Sequence, residues 1–337
     1  MKKLPLIVVL LLLVIGFSIF YFLSFQKESV LSPVGKKIFE KPLEKYTFES
    51  LRVKRFQGSE ISIGKLLKEG EGFTSYIFYF KDNGKKVSGT MNVPNNPGIY
   101  PIIMMFRGYV DKEKYTIGEG TRHSGEVLAQ NNFVTLAPDF LGYGESDNPS
   151  NNSIEERFQS YTTSLSLIAS LKNLNRGLDK AGINIKADPE KVGIWGHSNG
   201  GHIALSILEL SGKDYPTVLW NPVSKPFPYS VLYFTDEFDD HGKALRRAIA
   251  NFEKDYDIEK YSPTNFFDWI QAPIQLHQAI DDEAVPLRWS EQLNEQLVKL
   301  KKDVTYYIYP SENHNFGNGS WPTAIQRTLD FYKINFH

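Results

Sequence analysis

The stretch that decides the fold is GIWGHSNGGHIAL, residues 193–205. It is entered by the apolar run KVGIW (191–195), which is typical of a buried strand, and followed by the helical pattern GGHIALSILEL (200–210). Residues 196–200, GHSNG, have the form G-x-S-x-G, which between a strand and a helix indicates a sharp turn that raises the serine hydroxyl to the helix N-terminus. We predict that Ser198 is a nucleophile; the alternative is a glycine-rich turn whose serine has no chemical role.

A serine hydroxyl is a weak nucleophile unless a histidine accepts its proton and a carboxylate orients that histidine. His314 lies in the loop YPSENHNF, directly after the predicted strand VTYYIYP (304–310). It is the one histidine late in the chain that follows the carboxyl end of a strand, where the sites of parallel sheets collect. We therefore predict His314 as the base, whereas His277 lies within a predicted strand and is expected in the core.

The carboxylate is expected between the serine and the histidine in chain order. The loop after the predicted strand APIQLHQAI (272–280) offers Asp281, Asp282 and Glu283. The segment that begins at Asp282 has the form D-x-x-V-P. This pattern favours Asp282 as the acid, and Asp281 is the alternative.

An oxyanion hole needs two backbone N–H donors beside the attacked carbonyl. The N–H of Asn199, directly after the nucleophile, is one candidate. The second candidate is the N–H of Tyr109 in FRGYV, the loop after the predicted strand YPIIMMF (100–106). Gly108 would let the backbone come close, and Arg107 either forms a structural ion pair or faces the substrate.

Predicted strands and helices alternate along the chain, which indicates an α/β fold with a mostly parallel central sheet flanked by helices. Residues 74–94 read as a hairpin, and 100–106 and 133–140 as buried strands. We also expect a strand over 46–56 and one long amphipathic helix over 155–178.

The catalytic domain is expected over residues 46–337. Residues 211–268, between the nucleophile helix and the acid strand, are first aromatic and irregular and then helical. We interpret this segment as a small cap insertion over the site.

The N-terminal residues 1–25 contain two lysines followed by the uncharged run LPLIVVLLLLVIGFSIFYFLSF (4–25). As a helix this run would be roughly 33 Å long, enough to cross a bilayer. We predict an N-terminal transmembrane helix that keeps Lys2 and Lys3 inside, followed by a linker over 26–45 and an extracytoplasmic catalytic domain. Secretion after signal cleavage is the alternative.

The composition of the chain excludes several classes of function. The formal net charge is −1, so no basic surface for nucleic acid is expected. The chain has no cysteine, which excludes disulfides, thiolate catalysis and cysteine metal sites.

Five ordered segments of this chain resemble the α/β-hydrolase fold and, more narrowly, the catalytic domain of the prolyl oligopeptidase family, with its dipeptidyl aminopeptidase and acylaminoacyl-peptidase members. They span roughly residues 60–337 and are FRGYV, APDFLGYGESD, DPEKVGIWGHSNGGHIAL, YSPTNFFDWIQAPIQLHQAIDDEAVP and NHNF. The resemblance implies Ser198 as nucleophile, Asp282 as acid and His314 as base, with no metal or cofactor. The chain departs from the pattern at Arg107, where many hydrolases carry histidine, and at residues 279–280, where Ala-Ile replaces a small Gly-Thr pair.

The resemblance also implies a reaction. It is that of a serine-type peptidase that forms an acyl-enzyme on short peptides. A carboxylesterase acting on small esters is the alternative, because the family borders on esterases with the same core. A non-catalytic binding protein on a hydrolase scaffold is a third hypothesis, against which the complete triad speaks.

Overall fold

The computed structural model describes residues 41–236 and 238–336, and a nine-stranded sheet lies at its centre. The strands are, in chain order, β1 (Ser62–Gly70), β2 (Phe73–Asp82), β3 (Lys85–Pro94), β4 (Ile99–Phe106), β5 (Val134–Pro138), β6 (Lys186–His197), β7 (Thr217–Trp220), β8 (Ile274–Ala279) and β9 (Val304–Tyr309). Their order in space is β1-β2-β3-β5-β4-β6-β7-β8-β9. The pairings β1–β2, β2–β3 and β3–β5 are antiparallel and the other five are parallel, which confirms the mostly parallel sheet.

Helices connect and cover these strands. The α-helices of the described residues are α1 (Phe48–Val53), α2 (Arg122–Gln130), α3 (Ser153–Ser170), α4 (Leu174–Lys180), α5 (Asn199–Ser211), α6 (Tyr229–Leu232), α7 (Lys243–Phe252), α8 (Leu287–Lys299) and α9 (Trp321–Asn335). The described residues from Leu43 onward form one compact unit.

The predicted membrane helix over 1–25, and the predicted linker as far as residue 40, lie outside the described residues. Within 41–236 and 238–336, no helix combines the length and the apolar character that a membrane crossing needs.

Strand β4 shows how the sheet is buried. Successive side chains of a strand point to opposite faces, and a strand covered on both faces is apolar throughout. Ile102 and Met104 join the cluster that contains side chains of α3 and α5, whereas Ile103 and Met105 join the cluster formed with α2 and α9. The sheet is therefore covered on both faces, as the continuous apolar run of β4 predicts.

The strand predicted over residues 46–56 is wrong, because this segment contains the helix α1. Thr47 is the N-cap, and its side-chain oxygen accepts a hydrogen bond from the backbone N–H of Ser50 at 3.2 Å. Phe48 and Leu51 are three residues apart and both are fully buried. A threonine cap followed by this spacing favours a helix over a strand.

The single helix predicted over 155–178 is interrupted. Helix α3 ends at Ser170, a 3₁₀ turn covers Leu171–Asn173, and α4 follows. Ser59, in the segment before β1, forms two hydrogen bonds with residues at this interruption. Its N–H donates to Ser170 Oγ at 2.9 Å, and its carbonyl accepts from Asn173 Nδ2 at 2.7 Å. These contacts come from residues more than a hundred positions away, so the helical period alone does not reveal them.

The cap predicted over 211–268 starts too early. Its first part contains β7, which lies between β6 and β8 in the sheet and is buried at every position. Because both faces of this short strand are covered, it has no polar alternation to mark it as a strand. The segment outside the sheet therefore begins after Trp220, and it contains α6 and α7.

Candidate active site

The turn between β6 and α5 holds Ser198 in a strained backbone conformation, with φ 56° and ψ −121°. Such a conformation is costly for a residue with a side chain and is typical of functional sites. Gly200 permits the turn, because a Cβ at that position would collide with the backbone carbonyl of Phe106. The side chain of Ser198 thus stands at the N-terminus of α5, as the sequence predicts.

His314 and Asp282 form a hydrogen-bonded pair. The imidazole Nδ1 lies 2.9 Å from Oδ1 and 2.8 Å from Oδ2 of the carboxylate. The Asp282 side chain is completely buried, and that of His314 is only 11% exposed. Because an ionised carboxylate can only accept, Nδ1 carries the proton and Nε2 is left to accept one.

The Asp282 carboxylate is fixed by its own loop. Oδ1 accepts hydrogen bonds from the backbone N–H of Ala284 at 2.8 Å and of Val285 at 2.7 Å. The neighbouring Asp281 is exposed and points its backbone N–H at the carbonyl of Glu312. The structure therefore brings Asp282 to the imidazole, and it leaves Asp281 at the surface.

The histidine loop is tied to the serine turn through the backbone. The carbonyl oxygen of His314 accepts a hydrogen bond from Asn221 Nδ2 at 2.7 Å and lies 2.9 Å from His197 Nε2. The rings of His197 and His314 are 4.6 Å apart. Within the described residues no hydrogen bond joins Ser198 Oγ to His314, an arrangement that is common in substrate-free sites.

Two of these anchors escape sequence analysis. Asn221 directly follows β7, and its Oδ1 also accepts from the N–H of Ala279 at 2.8 Å, so it links three strand ends. The only clue to Asn221 in the sequence is its position after β7, a strand that the hydrophobic pattern does not reveal. His197 donates from Nε2 as a neutral ring, since burial lowers its pKa to about 4, with a smaller contribution from His314.

The predicted oxyanion donors come from two elements: Asn199 is the first residue of α5, and Tyr109 lies in the loop after β4. Gly108 comes so close that a Cβ there would lie 3.0 Å from the Ser198 Cβ. In the described part of the chain, the backbone N–H groups of Tyr109 and Asn199 have no acceptor. The first N–H groups of a helix are unpaired in general, so Asn199 is free to donate to a ligand.

A cavity of about 410 Å³ lies on the His197 side of the turn, and a larger one of about 710 Å³ lies beside Asn199. The larger cavity is lined by Arg107, Tyr109 and Asn199 and by residues of α3 and α6. Its volume falls within the range of small-ligand sites, about 300–1,000 Å³. The two candidate oxyanion donors therefore border a space of substrate size.

Known proteins share both the sequence pattern and the fold. The model of the prolyl oligopeptidase family matches residues 121–337. The uncharacterized peptidase YtmA of Bacillus subtilis (strain 168) is 26% identical over 247 residues, which are 72% of this chain and 86% of that protein.

Solved structures are similar at lower identity. Acetyl xylan esterase 1 from Thermoanaerobacterium sp. JW/SL YS485 matches with a TM-score of 0.55 at 16% identity, over 87% of this chain and 94% of that one. A protein described as a dipeptidyl aminopeptidase IV from Bacteroides ovatus ATCC 8483 matches with a TM-score of 0.54 at 16% identity, over 82% of this chain. The match spans only 36% of that chain. These likenesses establish the α/β-hydrolase fold that the sequence predicts.

Proposed function

This chain belongs to the prolyl oligopeptidase family and is a serine hydrolase, and we propose that it is a peptidase whose nucleophile is Ser198. The observation that carries the assignment is the buried pair of His314 and Asp282, anchored beside the strained serine turn. In the proposed mechanism, His314 of this pair is the base and Asp282 is the acid that orients it.

The proposed reaction runs through an acyl-enzyme. Ser198 Oγ attacks the substrate carbonyl carbon while His314 Nε2 takes the hydroxyl proton. The negative charge that develops on the carbonyl oxygen is met by the N–H groups of Asn199 and Tyr109. The leaving amine takes the proton from His314, and a water molecule then hydrolyses the ester on Ser198. Asp282 holds the imidazole in the Nδ1–H tautomer throughout.

The proposed substrates are short peptides. The family relationship favours peptides, and a cavity of about 710 Å³ accommodates only a few residues. Carboxylesterase activity on small esters is the alternative, because the same nucleophile and oxyanion hole cleave esters. A set of short peptide anilides and matched short-chain esters separates the two by kcat/KM.

A fluorophosphonate probe tests the nucleophile in the full chain. Wild type is expected to be labelled covalently, Ser198→Ala is expected to lose labelling, and Ser211→Ala at the far end of α5 serves as the matched control. If the folded wild type remains unlabelled, the proposed nucleophile is wrong and the binding-protein hypothesis takes its place. If Ser198→Ala is labelled as strongly as wild type, a different residue is the nucleophile.

We also propose that residues 4–25 anchor the protein in a membrane with the catalytic domain outside the cytoplasm. The support is the length of the uncharged run. A C-terminal alkaline phosphatase fusion, which is active only outside the cytoplasm, is expected to be active and to sediment with membranes. An active fusion protein in the soluble fraction would instead indicate a cleaved signal peptide. An inactive fusion protein would contradict the placement of the catalytic domain outside the cytoplasm.

A further inference from the structure

Among the described residues, one cationic side chain that lines the larger cavity makes no hydrogen bond and no ion pair. Four cationic side chains line this cavity, namely Arg107, Lys112, Lys114 and Arg157. Three of them bind groups of the protein: Lys112 Nζ contacts Glu156 at 2.7 Å, Lys114 Nζ contacts Asp111 at 2.9 Å, and Arg107 donates to the carbonyls of Gly108 and Asp139. Within residues 41–236 and 238–336, Arg157 makes no hydrogen bond and no ion pair through its side chain.

Arg157 is not a freely solvated surface residue. It lies on α3, it is half-buried, and its Nε is shielded from solvent without a hydrogen-bond partner. Burial lowers its pKa below the usual value, yet a guanidinium stays protonated in proteins. A partly buried cation that forms no ion pair with a described residue is costly, although Glu156 attracts it at longer range, so a carboxylate that arrives with the ligand would relieve that cost.

The surroundings of Arg157 favour an anionic ligand. Its neighbour Glu156 is already bound to Lys112, and the acidic residues Asp111 and Glu113 lie exposed at the cavity surface. Ser230, which lines the same cavity, has a buried hydroxyl that also lacks a partner among the described residues. The cavity therefore offers a planar cation and a hydroxyl donor, the groups that proteins use to bind carboxylates.

We propose that Arg157 binds a carboxylate of the substrate, so that the enzyme acts on small peptides or acyl compounds that carry a negative charge near the cleaved bond. The same cavity is lined by Asn199 and Tyr109, whose N–H groups would hold the scissile carbonyl. This inference rests on the proposed function, because it assigns Arg157 to recognition of the substrate that Ser198 attacks.

Paired substrates test the charge preference in the full chain. One pair is succinyl-alanine 4-nitroanilide and its neutral succinamoyl analogue, with the charge on the acyl side. The other is alanyl-alanine and its C-terminal amide, with the charge on the leaving group. Wild type is expected to prefer the anionic member of at least one pair in kcat/KM.

Arg157→Gln is expected to lower that preference by about 10- to 100-fold, the usual effect of losing a hydrogen bond to a charged group. Arg157→Lys keeps the charge but not the planar fork and is expected to retain part of the preference. Lys112→Gln is the matched control, because it removes a cation that is already paired with Glu156. If Arg157→Gln leaves the preference unchanged, or Lys112→Gln lowers it equally, the proposal is wrong.

A binding measurement separates this inference from the proposed function and does not require turnover. In the Ser198→Ala background, the anionic member of at least one ligand pair (N-succinyl-alaninamide against its succinamoyl analogue, or alanyl-alanine against its C-terminal amide) is expected to bind at least about 10-fold more tightly, and adding Arg157→Gln is expected to abolish the difference. Equal binding within both pairs overturns the inference. If the difference is present but wild type neither reacts with a fluorophosphonate nor hydrolyses any substrate, the anion site stands and the proposed peptidase function fails.

Discussion

The guanidinium of Arg107 donates a hydrogen bond from Nη1 to the carbonyl oxygen of Gly108, at 2.9 Å. In a trans peptide the carbonyl and the following N–H point in opposite directions. Arg107 therefore fixes the direction of the Tyr109 N–H, the proposed oxyanion donor. The guanidinium is itself held over the rings of Tyr143, at 4.0 Å, and Tyr115, at 4.7 Å.

Arg107→Lys is expected to lower kcat by about 10- to 100-fold with little change in KM, because the oxyanion forms only after substrate has bound. Arg107→His, which carries the residue common in other hydrolases, is expected to recover part of the loss. The measurement is steady-state kinetics with a parallel thermal melt. Wild-type kcat in a folded Arg107→Lys variant would contradict this role.

The sequence could not decide between the two roles expected for Arg107. An ion pair and a contact with substrate use the same residue and differ only in which groups lie near it in the fold. An ion pair and a contact with substrate were both compatible with FRGYV. In the structure the guanidinium forms no salt bridge with a described residue and bonds to two backbone carbonyls. Backbone carbonyls leave no trace in a sequence pattern, so only the fold could reveal them.

Asp282→Asn is expected to reduce kcat/KM by about 10⁴-fold, because an amide does not enforce the Nδ1–H tautomer of His314. Asp281→Asn is the matched control and is expected to stay within about twofold of wild type, since a surface charge contributes little. Kinetics of both variants on one peptide anilide check the prediction. A larger loss in Asp281→Asn than in Asp282→Asn would reverse the assignment of the acid.

Asn221→Ala removes the side chain that joins the carbonyl of His314 to the backbone of Ala279. The N–H of Ala279 loses its partner and the carbonyl of His314 keeps only His197, which is expected to lower the free energy of unfolding by about 1–3 kcal/mol. We expect kcat to fall more than KM rises, because the histidine loop moves and the cavity does not. Urea unfolding and steady-state kinetics measure the two effects, and unchanged kcat would show that His197 alone positions the loop.

Buried neutral histidines predict a pH-dependent stability. Burial lowers the pKa of His197 and His202 to about 4 and of His277 to about 3, below the value near 6.5 that the unfolded chain has. The unfolded state therefore binds more protons between about pH 6.5 and pH 4, and down to about pH 3 for His277, so the contribution is complete above this window and is lost as the pH falls through it. Each ring contributes on the order of 3–5 kcal/mol.

The check is urea unfolding at several pH values across that window, with His277→Gln beside wild type. The variant is expected to lose stability less steeply as the pH falls, because one ring no longer titrates. A structural defect would shift its curve at every pH without changing the slope. Parallel curves for the two proteins would show that His277 is not the group that titrates.

The parts that the sequence predicts are those encoded locally. The turn around Ser198 is defined by its glycines, and the loops of Asp282 and His314 follow strands with clear apolar runs. The strand β7 and the cap of α1 escape prediction for opposite reasons. β7 is buried on both faces, so its sequence shows no alternation of polar and apolar residues. Helix α1 depends on a hydrogen bond from the Ser50 N–H to the Thr47 side chain, which competes with the strand-like pattern of the segment.

The end of β7 has a consequence for how this protein can diversify. The carbonyl oxygen of Trp220 accepts a hydrogen bond from the backbone N–H of Ser198 at 3.0 Å, and the Asn221 side chain bonds to the end of β8 and to the loop of His314. The cap residues that line the larger cavity, Phe227, Ser230, Val231 and Phe238, all follow this junction. Insertions or substitutions after Asn221 can therefore change which substrates the cavity admits, while the proposed catalytic residues keep their spacing. Substrate specificity and catalytic chemistry can thus evolve separately.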